Sequence, residues 1–265
     1  MGTHRPTSKF RDIYRTLGRP SLAARLDTRC RRPGILRPGS GRAGRASRIQ
    51  HDLDANWRMA RILKDYPGVS LEPQGIEGKI DWAQIFGRSG AVHIEVGAGK
   101  GTFLVNQARA LPDENFLGIE WMRKYYRYAV DRIGRWGLTN VRIIRTDAID
   151  FIRACVPDGS VDCFHVYFPD PWPKKRHHKR RFISPANLEH LIRCLKAGGQ
   201  LRVVTDHADY FEQMERVLAV RSDALERIDF PRPIGAEQGE WTGTNFERKY
   251  LKDQRPIYAL AARKT

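Results

Sequence analysis

The sequence predicts an α/β fold in which a mostly parallel sheet carries helices on both faces. From residue 91 onward, short apolar strand-like runs alternate with amphipathic helical ones. A glycine-rich turn joins the first such strand to the first helix, and acids stand at the ends of successive strands. Ala91–Val96 reads as a buried strand ending in Gly97-Ala98-Gly99-Lys100-Gly101, after which Thr102 opens a helical run to about Arg109. Asn115–Glu120 is the second strand. The helix expected from Arg123 to Trp136 places Tyr126, Val130 and Ile133 on one face, and Gly137 stops it. Val141–Arg145 is the third strand, with Asp147 opening the next helix, and Val161–Phe168 is the fourth. Ser184-Pro185 suits a helix start, with Leu188, Leu191, Ile192 and Leu195 on one stripe and Gly198-Gly199 as its end. Gln200–Thr205 is the fifth strand and His207–Leu218 a helix, with closing strands expected near 224–230 and 256–262. Ligands of such a sheet bind at the carboxyl ends of its strands.

Charge divides the chain of 265 residues unevenly. Lys plus Arg number 47 against 30 Asp plus Glu, a net of +17. Residues 1–50 alone carry thirteen Lys/Arg against two Asp, or +11. That stretch, rich in Gly, Pro and Ser, has no sustained apolar period and is expected to be a basic, disordered extension. Residues 51–90 (−1) read as a lead-in, and 91–265 (+7) as the main domain. No run of about 18 apolar residues offers a membrane helix, so no membrane partner is expected. Cys30, Cys155, Cys163 and Cys194 form no CxxC pair and no metal-ligand spacing, which fits a reducing, cytoplasmic setting without a structural metal. Such a basic excess favours a polyanion, nucleic acid first.

The turn after the first strand reads ExGxGxG, from Glu95 through Gly97, Gly99 and Gly101. Thr102 replaces the last glycine of a dinucleotide fingerprint. Glycines allow a sharp turn and close backbone approach. A carboxylate two residues upstream suits a cationic nucleoside without phosphates, which S-adenosylmethionine is. Glu120, ending the second strand, is placed for ribose hydroxyls. At the end of the third, the Asp147 side chain or the Ala148 amide is placed for adenine. A nicotinamide cofactor stays open, because Glu120 serves either ligand, and each acid read singly is equally a helix cap.

After the fourth strand stands Phe168-Pro169-Asp170-Pro171-Trp172-Pro173, then Lys174 to Arg181 with six Lys/Arg and two His. Three prolines stiffen the turn and hold Asp170 and Trp172 beside the cofactor position. The cationic run against a rigid aromatic–acid turn points to a clamp on a phosphate backbone. This segment resembles the signature of the tRNA (guanine-N7)-methyltransferase family, a class I S-adenosylmethionine-dependent group with a Rossmann-like sheet. The resemblance extends through HIEVGAGKG, FLGIEW, TDA, VVTDHADY and GTNFERKY, over roughly 75–265. It implies methylation of the variable-loop guanine of tRNA, position 46, to 7-methylguanosine. It also implies cofactor contacts at Glu95, Glu120, Asp147 and Asp170, with Asp170 catalytic. Lys174, Asp206, Thr244, Asn245, Phe246 and Glu247 fall on its substrate-binding positions. Asp206 or Glu247 is expected to accept hydrogen bonds from the N1–H and N2–H donors of guanine, and Trp172 or Phe246 to stack on an exposed base. A methyltransferase for an exocyclic amino group and a non-catalytic RNA-binding module are the alternatives. The oligomeric state, monomer or homodimer, is open.

Overall fold

The computed structural model describes residues 62–265. The extension 1–50, and the lead-in up to residue 61, lie outside the described residues. The strands are β1 (Ser70–Leu71), β2 (Val92–Val96), β3 (Asn115–Ile119), β4 (Val141–Ile144), β5 (Val161–Tyr167), β6 (Leu195–Thr205), β7 (Leu225–Ile228) and β8 (Tyr258–Lys264). They form one sheet in the order β1-β4-β3-β2-β5-β6-β8-β7. Pairs are parallel except β6 with β8 and β7 with β8. The helices are α1 (Trp82–Phe86), α2 (Thr102–Ala110), α3 (Arg123–Arg135), α4 (Ala148–Cys155), α5 (Pro185–Cys194), α6 (Ala208–Ala219) and α7 (Asn245–Lys252).

Alternation along the central strands sorts side chains to the two faces. Phe116 of β3 joins Leu104, Ala108, Val130 and Ile133 under α2 and α3. Its neighbour Leu117 joins Ile152, Leu188, Leu191 and Met214 under α4, α5 and α6. Every residue of β3 is buried, as expected of a parallel strand covered on both faces. The chain builds from β2 outward through β3 and β4, then returns to add β5 on the other side of β2. The gap beyond the carboxyl ends of β2 and β5 is therefore the switch point where ligands bind in such sheets. Parallel register sets Glu95 opposite His165 and Val96 opposite Val166, which brings the glycine turn next to the proline-rich segment.

The expected elements recur with three differences. Ser70–Leu71, in the lead-in, pairs with Ile143–Ile144 and adds an edge strand, while α1 packs Phe86 into the core. Leu195 does not end the helical stripe of α5. It is extended (φ −65°, ψ 139°) and pairs with Val161 at the start of β6, before a register irregularity. There Gly199 lies so close to the backbone oxygens of Lys196 and Val161 that a Cβ would sit 2.9 and 3.0 Å from them. Strand pairing thus overrides the helical period. Finally, α7 forms where no helix is expected.

Candidate cofactor and substrate site

The glycine turn is held by backbone pairing first. The N–H groups of Gly97 and Ala98 both donate to the Ile119 carbonyl at 2.9 and 3.0 Å, tying the turn to β3. Gly97, Gly99 and Gly101 all have positive φ (78°, 55° and 68°), a region that side-chain-bearing residues adopt only with strain. Above the turn lies a pocket of about 260 Å³, walled on one side by Glu95, Gly97, Gly99 and Phe103 and on the other by Tyr167, Phe168, Asn245 and Phe246.

Glu95 is 5% exposed, and its Oε2 has no hydrogen-bond partner among the described residues. Burial first, and the neighbouring Glu120 charge second, push its carboxyl well above the usual range. An orphaned buried acceptor beside bare glycine backbone is what a cationic ligand would complete. Glu120 is differently occupied. Its Oε2 accepts from Gly99 N–H at 2.8 Å and its Oε1 from Met122 N–H at 2.7 Å, so it braces the turn from behind. Burial raises its pKa, the Asp170 charge raises it further, and these backbone donors act against both.

Asp147 caps α4, its Oδ1 accepting from Ile149 and Asp150 N–H at 3.0 and 3.1 Å, and Ala148 is the first, half-buried residue of that helix. The capping alternative is thus realised, with Oδ2 turned to neither amide.

The segment after β5 is strained at both ends of its central acid. Phe168 and Trp172 take φ of 51° and 44°, rare for aromatic residues. Asp170 between them is exposed at the strand's carboxyl end, and Lys174 is exposed before the 3₁₀ turn Lys175–Arg180. Arg180 stacks over the Trp172 ring at 4.8 Å. Arg181 departs from the basic run to which the sequence assigns it, for its side chain is 1% exposed. Its Nε donates to the Pro171 carbonyl and its Nη1 to Gln213 Oε1, each at 2.8 Å, while Nη2 pairs with Asp209. The guanidinium therefore bolts the proline loop to α6. Arg181→Lys keeps the charge but loses the planar fork. We expect kcat to fall about 10–100-fold through loop misplacement, with donor affinity by calorimetry within about twofold.

The late segment also divides. Thr244 caps α7, its Oγ1 accepting from Glu247 N–H, and Asn245 Nδ2 donates to Thr102 Oγ1 at 2.9 Å across the pocket rim. Phe246 is 50% exposed and lies over Gly99. Glu247 departs from the expectation that it faces a base. It is fully buried and accepts from the N–H groups of Trp241, Thr242 and Gly243 and from Thr242 Oγ1. It organises the loop that carries Thr244 and does not line the pocket. Glu247→Ala strands these donors, and we expect a loss of about 3 kcal/mol, seen by calorimetry as a Tm lower by roughly 6–10 °C. Asp206 is paired with Arg255 at 3.1 Å.

Behind the pocket runs a polar chain the sequence does not announce. The Tyr167 hydroxyl lies 2.8 Å from His165 Nδ1, His165 Nε2 lies 3.0 Å from His93 Nδ1, and His93 Nε2 lies 2.8 Å from Glu114 Oε2. With Glu114 holding the outer His93 proton, each hydroxyl or ring N–H donates toward the surface. Burial, then the neighbouring His93, holds His165 well below the usual imidazole range. Potential ligand atoms of His93, Cys163 and His165 lie within 4.8 Å of one another. The facing ring nitrogens of His93 and His165 pair with each other, and burial pushes the Cys163 thiol up to about 12.

A family model described as "Putative methyltransferase" matches residues 89–260, spanning the strands from β2 into β8 and every residue that walls the pocket. The structure is similar to that of the 16S rRNA methyltransferase KamB, with TM-score 0.52 and 15% identity, covering 71% of this chain and 95% of that one. That likeness shows the fold, the class I methyltransferase sheet. Among curated relatives, a tRNA (guanine-N(7)-)-methyltransferase of Rhodopirellula baltica is 35% identical over 220 residues, 77% of this chain and 79% of the relative. One from Alkalilimnicola ehrlichii is 37% identical over 199 residues, 75% of this chain and 83% of the relative. With the family's sheet, a pocket at its switch point and relatives matched over most of their length, this chain belongs to the tRNA (guanine-N7)-methyltransferase family.

Proposed function

We propose that the protein transfers a methyl group from S-adenosylmethionine to N7 of the variable-loop guanine of tRNA, position 46, giving 7-methylguanosine, and that it does so in the cytoplasm. One observation carries the reading: the partnerless buried oxygen of Glu95 shares a pocket with the strained segment that presents Asp170. S-adenosylmethionine supplies a methyl group already activated by a positively charged sulfur.

The residues fit that ligand. Glu95, ionised, offsets its positive charge from a site where water cannot. The open backbone of Gly97 and Gly99, whose N–H groups are held by Ile119 and Glu120, allows close approach. Glu120 keeps some acceptor capacity beyond its backbone donors for a hydroxyl, and Asp147 keeps Oδ2. On the substrate side, guanine N7 has an in-plane lone pair and no proton, so no side chain has to act as a base. The work left to the chain is orientation and charge. Asp170 faces the purine as it becomes cationic, and Phe246 and Trp172 offer rings to an unstacked base. Asp206, 17% exposed at its side chain, has an oxygen left for guanine donors. Lys174 and the run behind it meet phosphate as point charges. No helix among the described residues is long and apolar enough to cross a membrane. The test is mass spectrometry of nucleosides from tRNA incubated with the protein and isotope-labelled S-adenosylmethionine. Labelled 7-methylguanosine is the expected product, and a labelled exocyclic amine or no label overturns the reading.

A further inference from the structure

The cations at the pocket mouth stand on two sides of it, and the sequence signature accounts for only one. The run Lys174–Arg180 follows β5. On the far side of β2, α3 follows β3 and opens with Arg123-Lys124-Tyr125-Tyr126-Arg127-Tyr128. Tyr125 lines the cofactor pocket, while Arg123, Lys124 and Arg127 are exposed. With Leu63 and Tyr128 these three line a shallow concavity of about 470 Å³. Lys100, from the glycine turn, lies over the Tyr128 ring at 5.4 Å and extends the cationic surface to the pocket rim. Arg145, just past the carboxyl end of β4, is exposed on the same edge.

Two observations mark this surface as more than solvated charge. Several arginines elsewhere are paired with acids: Arg153 with Asp150 on α4, Arg193 of α5 with Asp158, Arg216 with Glu212 on α6, and Arg227 of β7 with Glu215. Arg123, Lys124 and Arg127 have no acid within 4.0 Å among the described residues. They also crowd the positive end of a helix dipole, in a first turn without an acidic residue or a side-chain cap. Local electrostatics disfavours that arrangement, and an external polyanion relieves it.

We propose that the first turns of α3, through Arg123, Lys124 and Arg127, form a second phosphate-binding surface for the tRNA, so that its backbone is gripped on both sides of the pocket. This rests on the tRNA reading above. Gripping both flanks fixes the direction in which the strand crosses the pocket, and so which edge of the unstacked base meets the methyl group.

The experiment compares full-length wild type with the triple variant R123Q/K124Q/R127Q, glutamine being a good helix former, and with K174Q/K175Q/R176Q. Binding of a tRNA transcript is measured from 50 to 200 mM salt, alongside calorimetric affinity for S-adenosylmethionine. For the α3 variant we expect tRNA affinity at least tenfold weaker. The slope of log K against log salt should be shallower by about 0.7–0.9 for each phosphate no longer neutralised, with donor affinity within about twofold of wild type. Wild-type affinity and slope in the α3 variant, while the Lys174 variant loses both, overturns the second surface and leaves the tRNA reading standing. Loss of donor affinity together with tRNA affinity also overturns it, since the triple change then acts through the fold. A wild-type protein that makes no 7-methylguanosine overturns the underlying reading, a separate result.

Discussion

Asp170→Ala is expected to lower kcat for tRNA methylation by about 10²–10³-fold, the scale seen when one group aimed at developing charge is removed. The side chain is exposed, so its removal leaves no hole and no buried partner unmet. Its backbone is fixed by other means: prolines on either side, the left-handed residues Phe168 and Trp172, and Arg181 on the Pro171 carbonyl. The loop therefore keeps its shape in the variant. Binding of tRNA, which draws on the cations beyond Lys174, should change by less than about threefold, because one neutralised acid alters a polyelectrolyte contact only slightly. Single-turnover kinetics with preformed complex separates the two. Methyl transfer at the wild-type rate would remove Asp170 from the chemistry.

Glu95→Gln should weaken S-adenosylmethionine binding about 10–100-fold at pH 7.5, since a hydrogen-bonded charge is lost from a desolvated site, and should make the donor-free protein more stable. The second effect follows from the sign of the pKa shift. Burial raises the Glu95 pKa above its unfolded value of 4.5, so between 4.5 and the raised pKa the folded state holds a proton the unfolded state has released. Stability from this group is complete below 4.5 and is lost as pH rises through the folded pKa. Glutamine removes that loss. We expect a gain of about 1 kcal/mol at pH 7.5, or roughly 2–4 °C in Tm, and little gain at pH 4.5. The linkage also predicts that wild-type affinity for the donor rises with pH through the Glu95 titration while that of the variant stays flat. Calorimetric titrations across pH, in buffers of differing ionisation enthalpy, read the released proton directly.

The sheet was legible because parallel central strands are written as short, mostly apolar and β-branched or aromatic runs, and Val92–Val96, Asn115–Ile119 and Val161–Tyr167 are such runs. Boundaries set by pairing were not. Leu195 fits a helical stripe in sequence, and only its partner Val161 makes it a strand residue. Two-residue β1 is too short to show a period at all. In the site, the glycine turn and its acids were legible as residue types, but not as to which atoms they satisfy. Glu247 and Arg181 look like solvent-facing charges in a polar stretch, yet both are buried, because each gathers several backbone or side-chain partners that sit far away or in a loop. One signal for Glu247 was present: Thr244-x-x-Glu247 has the spacing of a helix-opening capping box, which places the acid at a helix start. Nothing local distinguishes Arg181 from the cations preceding it, since its partners Gln213 and Asp209 lie a helix away.

The bracing of Gly99 and Met122 by Glu120 has a consequence for the energetics of recognition. A turn containing three glycines would ordinarily surrender much freedom when a ligand arrives, and that entropy would be subtracted from affinity. Here a buried carboxylate already braces the turn in the folded protein. The cradle is shaped before its guest appears, so less of the contact energy made on arrival is spent on ordering the turn and more of it is kept as affinity.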